Sequence, residues 1–312
     1  LRDALLSPDL LPGMEDDADG APTPAPRIRS LLDDGWRDYW SGRFVDLARR
    51  VPGLVGEARV GHRAGEDGSG VVLSQAYQLA ACLLVHLGRD DLALIGAERA
   101  VNAAAGGTDE LQWGAAHGTY AWVLMNQARN AEAERVARRI AERIEPKLSA
   151  ATPQHLTVWG GMVLWAMAAA CATGQTEATN DYLGLARAGA SRLDADRLHY
   201  ALNFGPTQVA MQDTYAQVML GRPDRALAAA GRVDRKSLRT ISYGRHLLDL
   251  AQAHADLRHD ADAIDTLVHA QTLAPVWFRH QVAARSLVSE VCERRARLTP
   301  AMRDLVRSLD AN

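Results

Sequence analysis

Lysine is almost absent from this chain of 312 residues: only Lys147 and Lys236 occur, so arginine carries nearly all of the positive charge. The formal net charge is -3 and the pI about 6.4. No stretch gathers enough Lys and Arg to track a phosphate backbone, so these residues are not expected to bind nucleic acid themselves. Cysteine is sparse as well. Cys82, Cys171 and Cys292 are odd in number and far apart, which argues against a disulfide framework and a CxxC metal pair and fits free thiols in a reducing, cytoplasmic setting. No uncharged apolar run of membrane-spanning length and no amino terminus of signal-peptide type is evident, so neither membrane contact nor secretion is expected. The apolar-polar alternation of half-buried strands is missing throughout.

Catalytic signatures are missing too. There is no H-E-x-x-H, no G-x-x-x-x-G-K-S/T, no G-x-S-x-G, and no G-x-G-x-x-G following a strand. Histidines are scattered; His246 and His254 share a helix face but no third ligand is evident, so no metal site and no cofactor is expected. The chain is not expected to be an enzyme. The nearest approach to a catalytic pair is Asp196 with His199, on a long loop.

What the chain has is helix. It is 47% hydrophobic with seven Trp, enough apolar material for a core of domain size. The clearest pattern runs from Arg245 to Pro275. Leu247, Leu250, Ala251 and His254 recur on one helical face, Ala263, Leu267 and Ala270 on a second, with a tight turn at 257–260 between them and Pro275 as terminator. These residues stand at the spacings of a tetratricopeptide repeat, and the segment resembles that helix-turn-helix unit. One repeat cannot bury its apolar face alone, so neighbours are expected. They appear: 29–40 with 44–60, 71–87 with 92–105, 110–127 with 131–144, 152–171 with a partner ending at 192, and 208–220 with 224–233. Ala81 and Ala93, then Ala121 and Ala133, repeat the twelve-residue spacing of Ala251 and Ala263; Met167 and Thr179 stand at the same offsets. The small or apolar residue opening each second helix falls at Leu47, Ala93, Ala133, Thr179, Ala226 and Ala263.

Pro52-Gly53 is expected to kink or break the second helix of the first pair, and 61–70 to form a loop. The stretches 276–297 and 300–309 are expected to cap the array. The fold class is therefore all-α: a right-handed superhelical solenoid of about six degenerate tetratricopeptide-type hairpins with a carboxy-terminal capping helix over 28–312. It is expected to be preceded by an acidic, Pro- and Ala-rich linker over 1–27 following a missing amino-terminal domain.

In such arrays the first helix of each pair lines the concave side. Projection from the small-residue register puts Trp36, Tyr39, Gln75, Gln78, Trp122, Met125, Asn126, Gln208, Met211, Tyr215, Arg245 and Gln252 there. Trp36 and Tyr39 are assigned to core or cap, and Trp159 and Trp165 to core. The other ten are the candidate guest-binding residues, with Gln208, Arg245 and Gln252 equally compatible with ordinary solvent-facing positions. Amides can bond the backbone of a peptide and aromatics supply contact area, so an extended peptide or a flat small molecule suits this groove.

Three strings narrow the resemblance. The opening LRDALLSPDLLP, the FGPT of Phe204 to Thr207, and RHLLDLAQAH from Arg245 to His254 are together similar to the sensor region of lambda-repressor-type (Xre-like) helix-turn-helix bacterial transcriptional regulators. The resemblance covers essentially the whole chain, although this chain has Gln208 where many such regulators have asparagine after FGPT. It implies a ligand- or peptide-sensing region, possible homodimerisation, and DNA contact only through a domain outside these residues. A protein-protein interaction scaffold without small-molecule sensing is the alternative.

Overall fold

The computed structural model describes residues 1–6 and 23–310. Most of the expected linker therefore lies outside the described residues. Its start holds a short helix, α1 (Arg2–Leu6), whose Leu5 is fully buried, and its last residues already belong to the next helix.

Six helical hairpins follow. They are α2 (Ala25–Trp40) with α3 (Phe44–Arg63), α4 (Ser69–His86) with α5 (Asp90–Ala105), α6 (Glu110–Asn126) with α7 (Asn130–Arg143), α8 (Pro153–Ala172) with α9 (Thr176–Ala190), α10 (Pro206–Met219) with α11 (Pro223–Ala230), and α12 (Thr240–Asp256) with α13 (Asp260–Leu273). Three short helices, α14 (Pro275–Arg279), α15 (Val282–Glu293) and α16 (Pro300–Asp310), close the carboxy-terminal end. The chain is an all-α solenoid. Leu47, Ala93, Ala133, Thr179, Ala226 and Ala263 are each 0% exposed, so the register read from the sequence marks the seam of every pair. In the second pair Gly96 also faces Ala81, whose Cβ lies 3.3 Å from where a side chain on Gly96 would begin. Close approach at this crossing depends on two small residues meeting.

Four expectations need correction. Helix α3 runs through Pro52 without a break, with the neighbouring Val51 and Val55 both fully buried, although proline forfeits one backbone hydrogen bond. The loop expected at 61–70 shrinks to 64–68, and the capping stretch 276–297 breaks at His280-Gln281 into α14 and α15. Strands also occur: β1 (Arg197–His199) and β2 (Leu202–Phe204) form an antiparallel hairpin in the loop after α9, with Tyr200 and Ala201 left-handed at its tip (φ 52° and 64°).

This hairpin fastens the middle of the array. Phe204, fully buried, fills the space beside α8 that Gly160 leaves open and also borders Gly189 of α9. Asp196 then accepts hydrogen bonds from the backbone N–H of Thr207 (2.9 Å) and Gln208 (2.9 Å). Its charge thus meets the unpaired donors at the start of α10. The FGPT string is accordingly a structural device: a ring plug, a glycine pressed against Asp196, a proline at the first helical turn and a capped N–H.

Helices α4 and α8 have the length and mean hydropathy of membrane spans, contrary to the expectation of no such run, yet 78% and 83% of those windows are buried inside the fold. A helix apolar all round must be covered on every side, and here neighbouring hairpins cover it. The two ends of the array also meet: a side chain on Gly42 would begin 3.6 Å from Ile241 at the start of α12 and 4.0 Å from Ala274 after α13. Residues of the first two hairpins share one core cluster with α12 to α16.

Candidate functional site

Aromatic side chains fill much of the space between successive hairpins. Across α2, α4, α6 and α8 runs a chain of rings. Tyr39 hydrogen-bonds His86 Nε2 at 3.0 Å, Phe44 stacks on His86 at 4.9 Å, His86 lies 5.5 Å from Trp122, and Trp122 stacks on Trp165 at 6.1 Å. Burial lowers His86 to about 3, with the positive charges of His280 and Arg245 adding to the effect. Two of those three groups belong to the other end of the array, as expected where the curve shuts.

The candidate residues separate into groups. Gln75 and Gln78 spend their amides internally. Gln75 Nε2 donates to Gln112 Oε1 (3.0 Å), Gln112 Nε2 donates to Gln78 Oε1 (2.6 Å) and to Ser74 Oγ (2.9 Å), and Gln78 Nε2 donates to Thr119 Oγ1 (3.0 Å). Gln78 and Gln112 are both 0% exposed, so this amide ladder joins α4 to α6, and only Gln75 reaches solvent. Trp122 and Met125 are half-buried; Asn126 is exposed, and its Nδ2 bonds back to the Trp122 carbonyl at 2.9 Å. Gln208 accepts from Asn203 Nδ2 at 3.2 Å, and Met211 is buried.

Tyr215, Arg245 and Gln252 do converge. They line a cleft of about 270 Å³ with Val218, Met219, Leu248, Asp249, Asp256, Ala283 and Leu287. The Arg245 guanidinium sits 5.4 Å from the centre of the Tyr215 ring, its Nε lies 3.6 Å from Asp249 Oδ1, and Gln252 Nε2 donates to Asp256 Oδ1 at 2.8 Å. Arg245, Asp249, Gln252 and Asp256 fall at steps of four, three and four along α12, one polar stripe on a helix face. That spacing was available in the sequence; the wall supplied by α15 was not, because it depends on how the carboxy-terminal helices fold back. Asp196, set beside His199 in the sequence as the nearest approach to a catalytic pair, uses both its oxygens to accept from the α10 backbone.

Asp249 is 6% exposed, and burial raises its carboxyl to about 6 despite Arg245 nearby. A folded-state value above the unfolded one means that the charged form costs stability, a cost absent below the unfolded value near 4 and complete once the pH exceeds 6. Asp249→Asn is therefore expected to gain stability over wild type as pH rises from 4 to 7, by on the order of 3 kcal/mol. Urea unfolding of both proteins at matched pH measures the gap, and a gap that stays constant would refute the assignment.

No protein-family model matches the chain, and no curated protein sequence matches it at a significant level.

Proposed function

We propose that the chain is the guest-sensing region of a helix-turn-helix transcriptional regulator and that the guest, a peptide or a small molecule, sits in the Tyr215–Arg245–Gln252 cleft. The observation that carries this proposal is the convergence of a ring, a guanidinium, a raised carboxyl and an amide on one apolar-walled recess. At about 270 Å³ the recess is near the lower end of small-molecule pockets, a size suited to one side chain of an extended peptide or a compact ligand. A peptide is favoured by the rim, where Met219 (44% exposed) and Val282 (78% exposed), adjoining the lining residue Ala283, leave apolar surface uncovered. That same rim supports the second reading, a scaffold that binds a folded protein.

A guest between α10, α12 and α15 would alter how the closing helices meet the first hairpin. With α1 docked by Leu5, such a shift would be passed to a DNA-binding domain preceding Leu1. Differential binding of a few kcal/mol suffices to move such a two-state balance. Three unpaired cysteines, two of them buried, agree with the cytoplasmic location this role requires.

Isothermal titration against short peptides and fractionated small metabolites tests the proposal. Binding by wild type that Arg245→Ala and Tyr215→Ala each weaken at least about tenfold, near 1.4 kcal/mol, is the expected result. Equal binding by all three proteins removes the cleft from consideration, and retention of a defined folded protein with no small guest selects the scaffold.

A further inference from the structure

On the α13-facing side of α12, Leu247 and Ala251 are followed one turn later by His254. The chain then reverses through Arg258, which is left-handed at φ 62°; His259 precedes α13 and Asp262 lies in its first turn. The metal-capable atoms of His254, His259 and Asp262 all fall within 4.8 Å of one another, the one such group of three among the described residues. The two imidazoles are 6.1 Å apart between centres. Nδ1 of His254 is shut off from solvent and has no hydrogen-bond partner. The neighbouring acid is differently placed: Asp260 is held by Arg294 at 3.1 Å and Arg295 at 3.4 Å. Asp262 is exposed and, among the described residues, enters no ion pair.

We propose that this turn is a binding site for a divalent late transition metal, Zn²⁺ or a congener such as Co²⁺ or Ni²⁺, held by His254, His259 and Asp262. Two imidazole nitrogens with one carboxylate suit these ions, whereas Mg²⁺ and Ca²⁺ prefer all-oxygen sets. A tetrahedral ion with bonds of about 2.0–2.1 Å spaces its ligand atoms about 3.4 Å apart. His259 and Asp262 are exposed, so rotation of their side chains covers the remaining distance without moving the backbone. Three protein ligands leave a position open to water or to a partner's side chain. The ion clips the end of α12 to the start of α13. His254 lies two residues beyond Gln252, about 200° round the helix, so the site stands apart from the guest cleft and does not depend on it.

Co²⁺ titration of the chelator-treated whole chain, followed by visible absorption and by thermal unfolding, tests this. The expected result is one Co²⁺ per chain, displaced by Zn²⁺, with an unfolding midpoint that rises on metal addition and falls back with EDTA. His259→Asn and Asp262→Asn, both at exposed positions, should each weaken binding at least about tenfold, with circular dichroism verifying that the fold is kept. Absence of stoichiometric uptake, or uptake unchanged in the His259→Asn/Asp262→Asn double variant, overturns the proposal.

Discussion

Gly160→Ala is expected to destabilise the protein by about 3 kcal/mol, a large cost for one added methyl group. The new Cβ would stand 2.3 Å from two atoms of the Phe204 ring and 2.4 Å from a third. The ring has little room to swing aside, because its tip also borders Gly189, which Trp159 crowds, and Phe204 is fully buried. Relief requires pulling β2 away from α8, which also draws Asp196 off the start of α10. The damage is therefore expected to spread from one contact to the cap and to the fifth hairpin. Phe204→Leu in the Gly160→Ala background should recover part of the loss, giving the non-additive signature of two groups competing for one space. Urea unfolding of the four proteins measures it; a single-variant cost below about 1 kcal/mol would mean the plug is looser than described.

Gln112→Leu is the second large effect, about 2–4 kcal/mol. It strips Gln78 Oε1 of the one hydrogen bond it accepts among the described residues, at a position closed to water, and removes a donor from Ser74. Gln75 is half-exposed and finds water instead. Buried acceptors left without donors cost about 1–3 kcal/mol each, whereas removing both partners is far milder. Gln112→Leu combined with Gln78→Leu is therefore expected to be less destabilised than the sum of the single variants. Strict additivity in chemical unfolding would count against a coupled ladder.

Much of the architecture was legible in the residues because helical hairpins announce themselves locally. Six seam residues chosen by spacing alone are all fully buried, and turns at Gly42, Gly88, Gly174 and Gly221, each with φ between 66° and 74°, stand where glycine tolerates a left-handed backbone. The β-hairpin was not legible. Its strands are three residues long, too short to alternate visibly, and its tip uses Tyr200 and Ala201 where a two-residue turn usually has Asn or Gly. Nor does proline or glycine mark the break between α14 and α15.

The candidate site was legible in part for a related reason. Tyr215, Arg245 and Gln252 were found from helix periodicity, which sees one helix at a time. Gln75 and Gln78 met the same pattern, yet their amides face α6, a relation that only the packing of successive hairpins decides. Asp249, one turn from Arg245, was passed over because a carboxylate on an apolar helix looks like a solvent-facing charge until its burial is known.

The contact between the Gly42 turn and Ile241 has a mechanical consequence. An open stack of repeats tolerates gain or loss of a unit, since each touches only its neighbours. Here the array behaves as an arch whose two feet share a keystone. Inserting or deleting one hairpin is therefore expected to part the first hairpins from the closing helices with which they share a core.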